Sequence, residues 1–418
     1  MVRNPQSLDQ IDFWDLDMFA DGDPHAAWTM LRRRAPVWYH DRPGGEPFYA
    51  VTRFDDCRHV HANPVLFSSE RHGIVLRDAG AMALAEAGAD NPLERNKPMI
   101  HTDPPRHQPL RRVISHNFTP RAVGRLEEQI RGYARSCLDD VADKRDVDFV
   151  TEVAHRIPSA IAFALMGVPA KDWDRLAELE HITVSGTDPE FTHGDSVADA
   201  QAAAGMELFG YFAELVGQRR TDPGDDLISQ LLAGDVQGQP LPWEQTVAEA
   251  GLLLAGGLDT TRAAASAGAM LPMIEHPDQW RILQDEPSLL SSAVDEFVRW
   301  ASPITSEART VTGETELGGV VLRDGDRVVV WSPSANRDED HFDEPFRFDV
   351  RREGNRHLGF AYGEHYCLGV HLARLTLRVE FEEILSRFVS VEMTGPPSRV
   401  RSNFVGGLKH LPVRMNPR

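Results

Sequence analysis

The sequence predicts a mainly α fold: one large helical domain over residues 1–418, with a long central helix and small β-sheets. Three observations predict it. From about residue 105 onward apolar residues recur at helical spacing, as in "RAVGRLEEQIRGYARSCLDDV", "IPSAIAFALMGV", "GMELFGYFAELVGQRR" and "SLLSSAVDEFVRWA". Residues 242–276 are apolar on nearly every side, so a helix there has no solvent face and must run through the core. Two shorter regions, about 35–70 and 305–335, alternate apolar and polar residues around glycine turns, as strands do. With C-terminal strands, these make the β-rich part.

The chain begins "MVRNPQSLDQIDFWDLDMFADGDP", acidic and without an apolar run, so neither a signal peptide nor a membrane anchor is expected and the location expected is cytoplasmic. A hydrophobic share of 41% with 26% charged residues suits a globular enzyme with a sizeable core. The net charge of -20 argues against nucleic acid as a general partner, because phosphates are repelled over most of the surface. "PVWYHDRPGGEPFYAVTRFDDCRHVHANPVLFSS" reads as a short hairpin about Gly44-Gly45. The central stretch opens at Pro242, near the first helical position. Gly256-Gly257 followed by Asp259-Thr260-Thr261 interrupts it, at a helix cost of about 1 kcal/mol per glycine. An acid and an alcohol there could open a bulge, admit water and offer a proton path, or Thr260 could simply bond back to the preceding turn. Pro272 should kink or end the helix late by crowding the Gly268 carbonyl. "TVTGETELGGVVLRDGDRVVVW", 310–331, returns to strands.

Cys57, Cys137 and Cys367 are odd in number and far apart, which supports neither a disulfide framework nor a four-cysteine zinc site. Cys367 stands in "HLGFAYGEHYCLGVHLAR", just before a strongly periodic helix, a position that favours the thiolate. A thiolate there could be a nucleophile or a zinc ligand, with His365 or His371 assisting. Gly363 and Gly369 also leave room for a flat, bulky group beside the sulfur. The plain alternative is a buried, inert cysteine.

Four features, in order and spacing, resemble the cytochrome P450 family, haem-thiolate monooxygenases of the soluble bacterial type, over nearly the whole chain. The cysteine loop reads F-x-x-G-x-x-x-C-x-G as Phe360, Gly363, Cys367 and Gly369. "AGGLDTT" is similar to the oxygen-activation stretch, with Ala255, Gly256, Asp259 and Thr260 at matching positions. Glu296 and Arg299 in "EFVRW" form E-x-x-R, and Arg347 in "PFRF" is taken to complete the family's structural Glu-Arg-Arg cluster. In "DPPRHQPLRR", His107 and Arg111 lie four apart on one helical face and resemble haem-propionate ligands.

The resemblance implies haem b with Cys367 as its axial ligand. Phe360 packs on the porphyrin, amides near Gly369 bond the sulfur, and Ala255 and Gly256 border the haem, while Arg309 and His365 join His107 and Arg111 at the propionates. It implies that Thr260 and Asp259 deliver protons, and that one oxygen atom of O2 enters a lipophilic molecule: a sterol, terpenoid, branched lipid or secondary metabolite. Leu253, Leu254, Ile304, Phe404 and Val405 are expected to line the pocket, together with parts of 72–97 and 181–196. Electrons are expected from a separate ferredoxin with ferredoxin reductase, docking near Arg111, Arg112 and Arg374. Pro272 and Tyr362, the latter where glycine is commoner, depart from the pattern. The alternative is a haem-thiolate binding or sensor protein without turnover. A peroxygenase is disfavoured by the acid-alcohol pair.

Overall fold

The computed structural model describes residues 5–22, 24–77, 96–185, 187–192 and 196–418. Most of the pocket segment expected within 72–97, and residues 186 and 193–195 of the second one, lie outside the described residues.

Val37–His40 and Phe48–Val51 pair antiparallel as the expected hairpin, and Gly44 takes a positive φ of 94° in the turn. The β-rich reading of 35–70 is corrected beyond it: Phe54–Ala62 is a helix. Phe54, Cys57, Val60 and His61 fall on its one buried face, and Asp55 and Asp56 stand in its positive first turn. The hairpin continues into a five-stranded sheet. Phe48–Val51 pairs with Arg327–Trp331, which pairs with Ser306–Val311, and Phe67–Ser68 closes the edge. A second sheet joins Phe388–Met393, Pro412–Pro417 and Val147–Asp148.

The helices Glu127–Ala142, Leu290–Ala301 and Val370–Arg387 pack with the central helix into the largest core. Pro242 caps the central helix, which starts at Trp243. It runs to Gly257, breaks at Leu258 (ψ -74°), resumes as Asp259–Ala263, widens into π-helical turns over Ala264–Met270 and ends with Leu271–Glu275. The π turns directly precede Pro272. An i to i-5 pattern relaxes the ring's crowding against the previous turn, so the proline is passed without ending the helix.

Gly268 sits where this helix crosses Leu290–Ala301. A Cβ there would lie 2.2 Å from the Phe297 carbonyl oxygen and 2.9 Å from the Ala301 Cβ. No rotamer relieves a clash with backbone. Among the described residues, no helix is long and apolar enough to cross a membrane. Gly268→Ala is expected to cost about 3 kcal/mol of stability through overpacking, read as a lowered midpoint in denaturant unfolding.

Candidate active site

Cys367 closes a tight loop between Leu358 and Gly369. Its amide donates to the Phe360 carbonyl at 3.0 Å, and Ala361 and Tyr366 donate back to Leu358 and Gly363. Gly363 (φ 72°) is required twice over, since a Cβ would also meet the His61 carbonyl at 2.6 Å. The residue under backbone strain is Ala361, with φ 56°. Tyr362 is extended (φ -153°), a conformation any side chain adopts, so the departure expected at Tyr362 belongs to Ala361. The sulfur lies two residues before the helix cap at Gly369, whose amide favours the thiolate, as do Arg111 and Arg374. Burial outweighs them and pushes the thiol up from its ordinary value. The expectation of a lowered pKa fails for the protein alone.

The loop is braced from a buried ion pair. Arg299 donates from Nε and Nη2 to both carboxylate oxygens of Glu296, each at 2.7 Å, and from Nη1 to the carbonyls of Asn336 (2.8 Å) and Pro345 (2.9 Å). Asn336 Oδ1 then accepts from the Leu358 amide at 2.7 Å, where the loop begins. The third cation is Arg352, not Arg347. Arg352 Nε donates to Glu296 at 3.2 Å and its side chain is 10% exposed. Arg347 is 56% exposed and pairs with Glu344 and Asp349. The turn that closes from Arg347 N to Glu344 O directs the Arg347 carbonyl inward, where Arg299 and Arg352 both donate to it, and so turns its side chain out.

Between the loop and the central helix lies a cavity of about 270 Å³. Phe360, Cys367, Leu368 and Gly369 form one wall, and Gly256, Gly257, Thr260 and Thr261 form the facing one. Thr260 Oγ1 donates to the Gly256 carbonyl at 2.9 Å, beside the break at Leu258. This is the back-bonding considered from sequence, and it leaves the hydroxyl oxygen free to accept from the cavity side. Asp259 is fully buried and is not on the wall. It accepts from His181 Nδ1 (3.1 Å) and Ser185 (3.3 Å) and pairs with Arg262 (3.1 Å). Burial alone would raise its pKa, but Arg262 and His181 hold it well below the usual carboxylate range.

At the cavity edge imidazoles and guanidiniums crowd together. The His107 and His365 rings are 4.1 Å apart, and Arg111 lies on the wall beside them. His107 Nε2 and both ring nitrogens of the buried His61 have no hydrogen-bond partner. His365 is driven down to about 2, by burial first and then by Arg309, His107, His61 and Arg111. Arg309 is buried rather than a solvated strand-edge residue. It donates to Ala308 O and meets the Glu307 carboxylate at 3.5 Å. Orphaned buried nitrogens among cations are what a group bearing carboxylates satisfies, so the residues fit the propionate edge of a haem, with the apolar cavity for its ring.

The cytochrome P450 family model matches residues 195–410. The chain belongs to the cytochrome P450 family. It is 38% identical, over 98% of both chains, to putative cytochrome P450 126 of Mycobacterium tuberculosis. It is 34% identical to the steroid C26-monooxygenase of Rhodococcus jostii, over 99% of this chain and 86% of that one. Among solved structures, the Mycobacterium marinum cytochrome P450 CYP268A2 in complex with pseudoionone superposes with a TM-score of 0.89 at 32% identity, over 98% of this chain and 99% of that one. The fold is thus that of cytochrome P450, and the protein is an oxidoreductase of the monooxygenase class for which the family implies a haem-thiolate cofactor.

In this P450 His107, Arg111, Phe360, His365, Cys367 and Gly369 share the cavity wall, and Arg309 lies off it within electrostatic reach of His365; several pocket assignments are corrected. Leu253 and Ile304 are on the cavity wall. Leu254 is buried in a separate core beneath its helix, and Val405 is buried in a bridge to Ile304. Phe404 accepts from the Thr305 amide and, like Ala255, is not on the wall. Of the basic patch, Arg112 is exposed, Arg111 faces the cavity and donates to Tyr366 O at 2.6 Å, and Arg374 is paired with Asp295 and lies over Phe360. His371 is not on the wall. Sequence reasoning missed His61, Glu307, Asn336 and Arg352. The spacing of Arg352 from Arg347 in "RFDVRR" was the one available signal.

Glu249 of the central helix accepts from the Met99 amide (2.9 Å), and the Met99 carbonyl meets His107 Nδ1 (2.8 Å). Burial pushes the Glu249 carboxyl up to about 7. Two expectations follow from this geometry. Arg352→Leu should lose roughly 3 kcal/mol or more and load haem poorly, while Arg347→Ala stays within about 0.5 kcal/mol, both read by denaturant unfolding and the haem-to-protein ratio. Folded Glu249 keeps its proton to about pH 7 while the unfolded chain releases it near 4.5, so stability falls as pH rises through that window. Glu249→Gln should flatten this fall by about 2–3 kcal/mol, seen as a melting-temperature difference from wild type that grows with pH.

Proposed function

We propose that this P450 hydroxylates lipophilic small molecules of the sterol or terpenoid kind, with haem b ligated by Cys367 and electrons supplied by a separate ferredoxin and its reductase. One observation carries the reading: a single cavity, walled mostly by hydrocarbon, joins the Cys367 sulfur on one side to the Thr260 hydroxyl on the other. The steroid and pseudoionone named with its relatives support the ligand class.

When bound, haem supplies reductive activation of dioxygen for insertion of one oxygen atom. The chain's own residues supply the surroundings. Cys367 offers the sulfur, oriented by its own amide bond to Phe360 O and by the Gly369 amide. His107, Arg111, Arg309 and His365 hold carboxylates at the edge by charge-assisted hydrogen bonds. Thr260, its proton engaged by Gly256 O, orients water with its lone pairs, and Asp259, kept as the carboxylate by Arg262 and His181, accepts a proton in passing and relays it from behind the same turn. Leu253, Ile304 and Phe360 exclude bulk water.

The reduced protein with carbon monoxide should show the strongly red-shifted Soret band of a thiolate ligand, lost in Cys367→Ala. Pseudoionone and cholesterol, one for each class, should displace the iron's water ligand in absorption titrations. With whichever binds, Thr260→Ala should keep the carbonyl spectrum but give about tenfold less product per NADPH, the balance appearing as peroxide. A normal spectrum with no response to either probe would remove the ligand class; tight coupling in Thr260→Ala would remove its role.

A further inference from the structure

Adjacent acids of the helix Leu290–Ala301 reach the cysteine loop by different routes. Glu296 is matched by Arg299 and Arg352 and, through Arg299 and Asn336, holds the start of the loop. Asp295 serves the stretch that follows. One of its oxygens accepts from Arg374 Nε at 2.9 Å and lies 2.9 Å from Arg374 Nη2. The same oxygen is 3.4 Å from His357 Nε2. His357 Nδ1 accepts from the Gly359 amide at 3.0 Å, so the imidazole hydrogen sits on Nε2 and points to Asp295. Burial favours the neutral form of this imidazole. The charges in contact here are then one carboxylate and one guanidinium.

The pair has a direction. The guanidinium carbon of Arg374 lies 5.1 Å from the centre of the Phe360 ring. Asp295 reaches that ring through Arg374 and through His357, whose own ring is 5.5 Å from it. Phe360 and Cys367 share the cavity wall, and the Phe360 carbonyl takes the Cys367 amide at 3.0 Å. Arg374, with Arg111, acts on the sulfur and favours its charged form. The guanidinium is therefore the charge nearer the sulfur and the carboxylate the farther one. Burial alone would raise the Asp295 carboxyl, but the His357 hydrogen bond and the Arg374 charge hold it below the usual range, so both ends of the pair stay charged.

We propose that Asp295 and Arg374 are positioning residues: a fixed charge pair, its positive end toward Cys367, that sets how strongly the sulfur donates to bound haem and so the haem's reduction potential. Arg374 draws electron density back toward the sulfur, and Asp295 both anchors the guanidinium and offsets part of its field. This rests on Cys367 ligating haem as proposed above.

The test uses the haem-loaded protein as wild type, Arg374→Gln, Asp295→Asn, Asp295→Glu and the double variant of Arg374→Gln with Asp295→Asn. Two quantities are read, neither of them turnover: the midpoint potential by spectroelectrochemical titration, and the infrared C–O stretch of the reduced protein with carbon monoxide. In Arg374→Gln both should fall, because the carboxylate is left behind and the sulfur donates more. In Asp295→Asn both should rise, since the amide oxygen still holds the guanidinium while its charge is no longer offset. Each single variant should change the reduced-to-oxidised ratio at a fixed potential about threefold, which is about 28 mV at 59 mV per tenfold. Asp295→Glu should lie near wild type and the double variant between the two singles. Opposite signs are the mark of a charge pair, whereas a merely structural role would loosen the loop in both variants and move them the same way. If wild type shows the thiolate carbonyl band but the two single variants shift together or not at all, the proposal is overturned and Cys367 ligation stands. If wild type lacks that band, both fall.

Discussion

The arrangement depends on one buried ion pair. Glu296 and Arg299 are both removed from water, and two charges in that position are tolerated only if every lone pair and proton finds a partner. The partners come from far along the chain: the carbonyls of Asn336, Pro345 and Arg347, the amide of Asp349, and the side chains of Arg352 and Asn355. Meeting that demand ties the start of the cysteine loop to the helix Leu290–Ala301, which crosses the central helix at Gly268. The two cavity walls therefore have a fixed separation because one salt bridge must be satisfied. The pair's contribution is positional; its net stabilisation is modest, since desolvation offsets much of the Coulomb attraction.

The central helix meets the opposite requirement. It must be apolar to sit in the core, yet must offer hydrogen-bonding atoms at one point on each side. It does so by breaking its own ladder at Leu258, where Thr260 takes the Gly256 carbonyl and Asp259 is rotated about 100° away into the polar cluster. Adjacent residues on a helix cannot face the same way. An acid-alcohol pair in sequence is thus a pair divided between two sides of the helix, the hydroxyl toward the cavity and the carboxylate in the polar network behind it.

What the sequence could and could not tell follows from this geometry. The cysteine loop, the first hairpin and the strands near Arg327–Trp331 are set by local chemistry: glycines at positive φ and alternation on a sheet. Where a single step of register decides, the reading went astray. Leu253 faces the cavity and Leu254 a separate core. Ala361, not Tyr362, takes the left-handed backbone that a glycine favours. Arg352 takes the place given to Arg347, because a turn reverses which side of the chain faces inward. The Cys367 thiol was judged from its helix terminus alone, when burial by distant residues weighs more. Asn336 has no local signal, since its partners come from other elements.

The propionate edge shows how a charge pattern can identify a ligand where shape alone would not. The chain as a whole carries a net charge of -20, yet at this edge it gathers Arg111, Arg309, His61, His107 and His365, the imidazoles pushed toward neutrality by burial first and then by the neighbouring arginines. Such a concentration is unfavourable unless an anion balances it. Glu307 reaches Arg309 and His61 at 3.5 Å each, too far for strong hydrogen bonds, and Glu364 acts on His107 and Arg111, so the carboxylates described there offset the group only in part. The carboxylates of a bound haem would meet the same need: His107, His365 and His61 would donate to them and Arg111 and Arg309 would balance their charge, so the site favours an anionic ligand over a neutral one of the same shape.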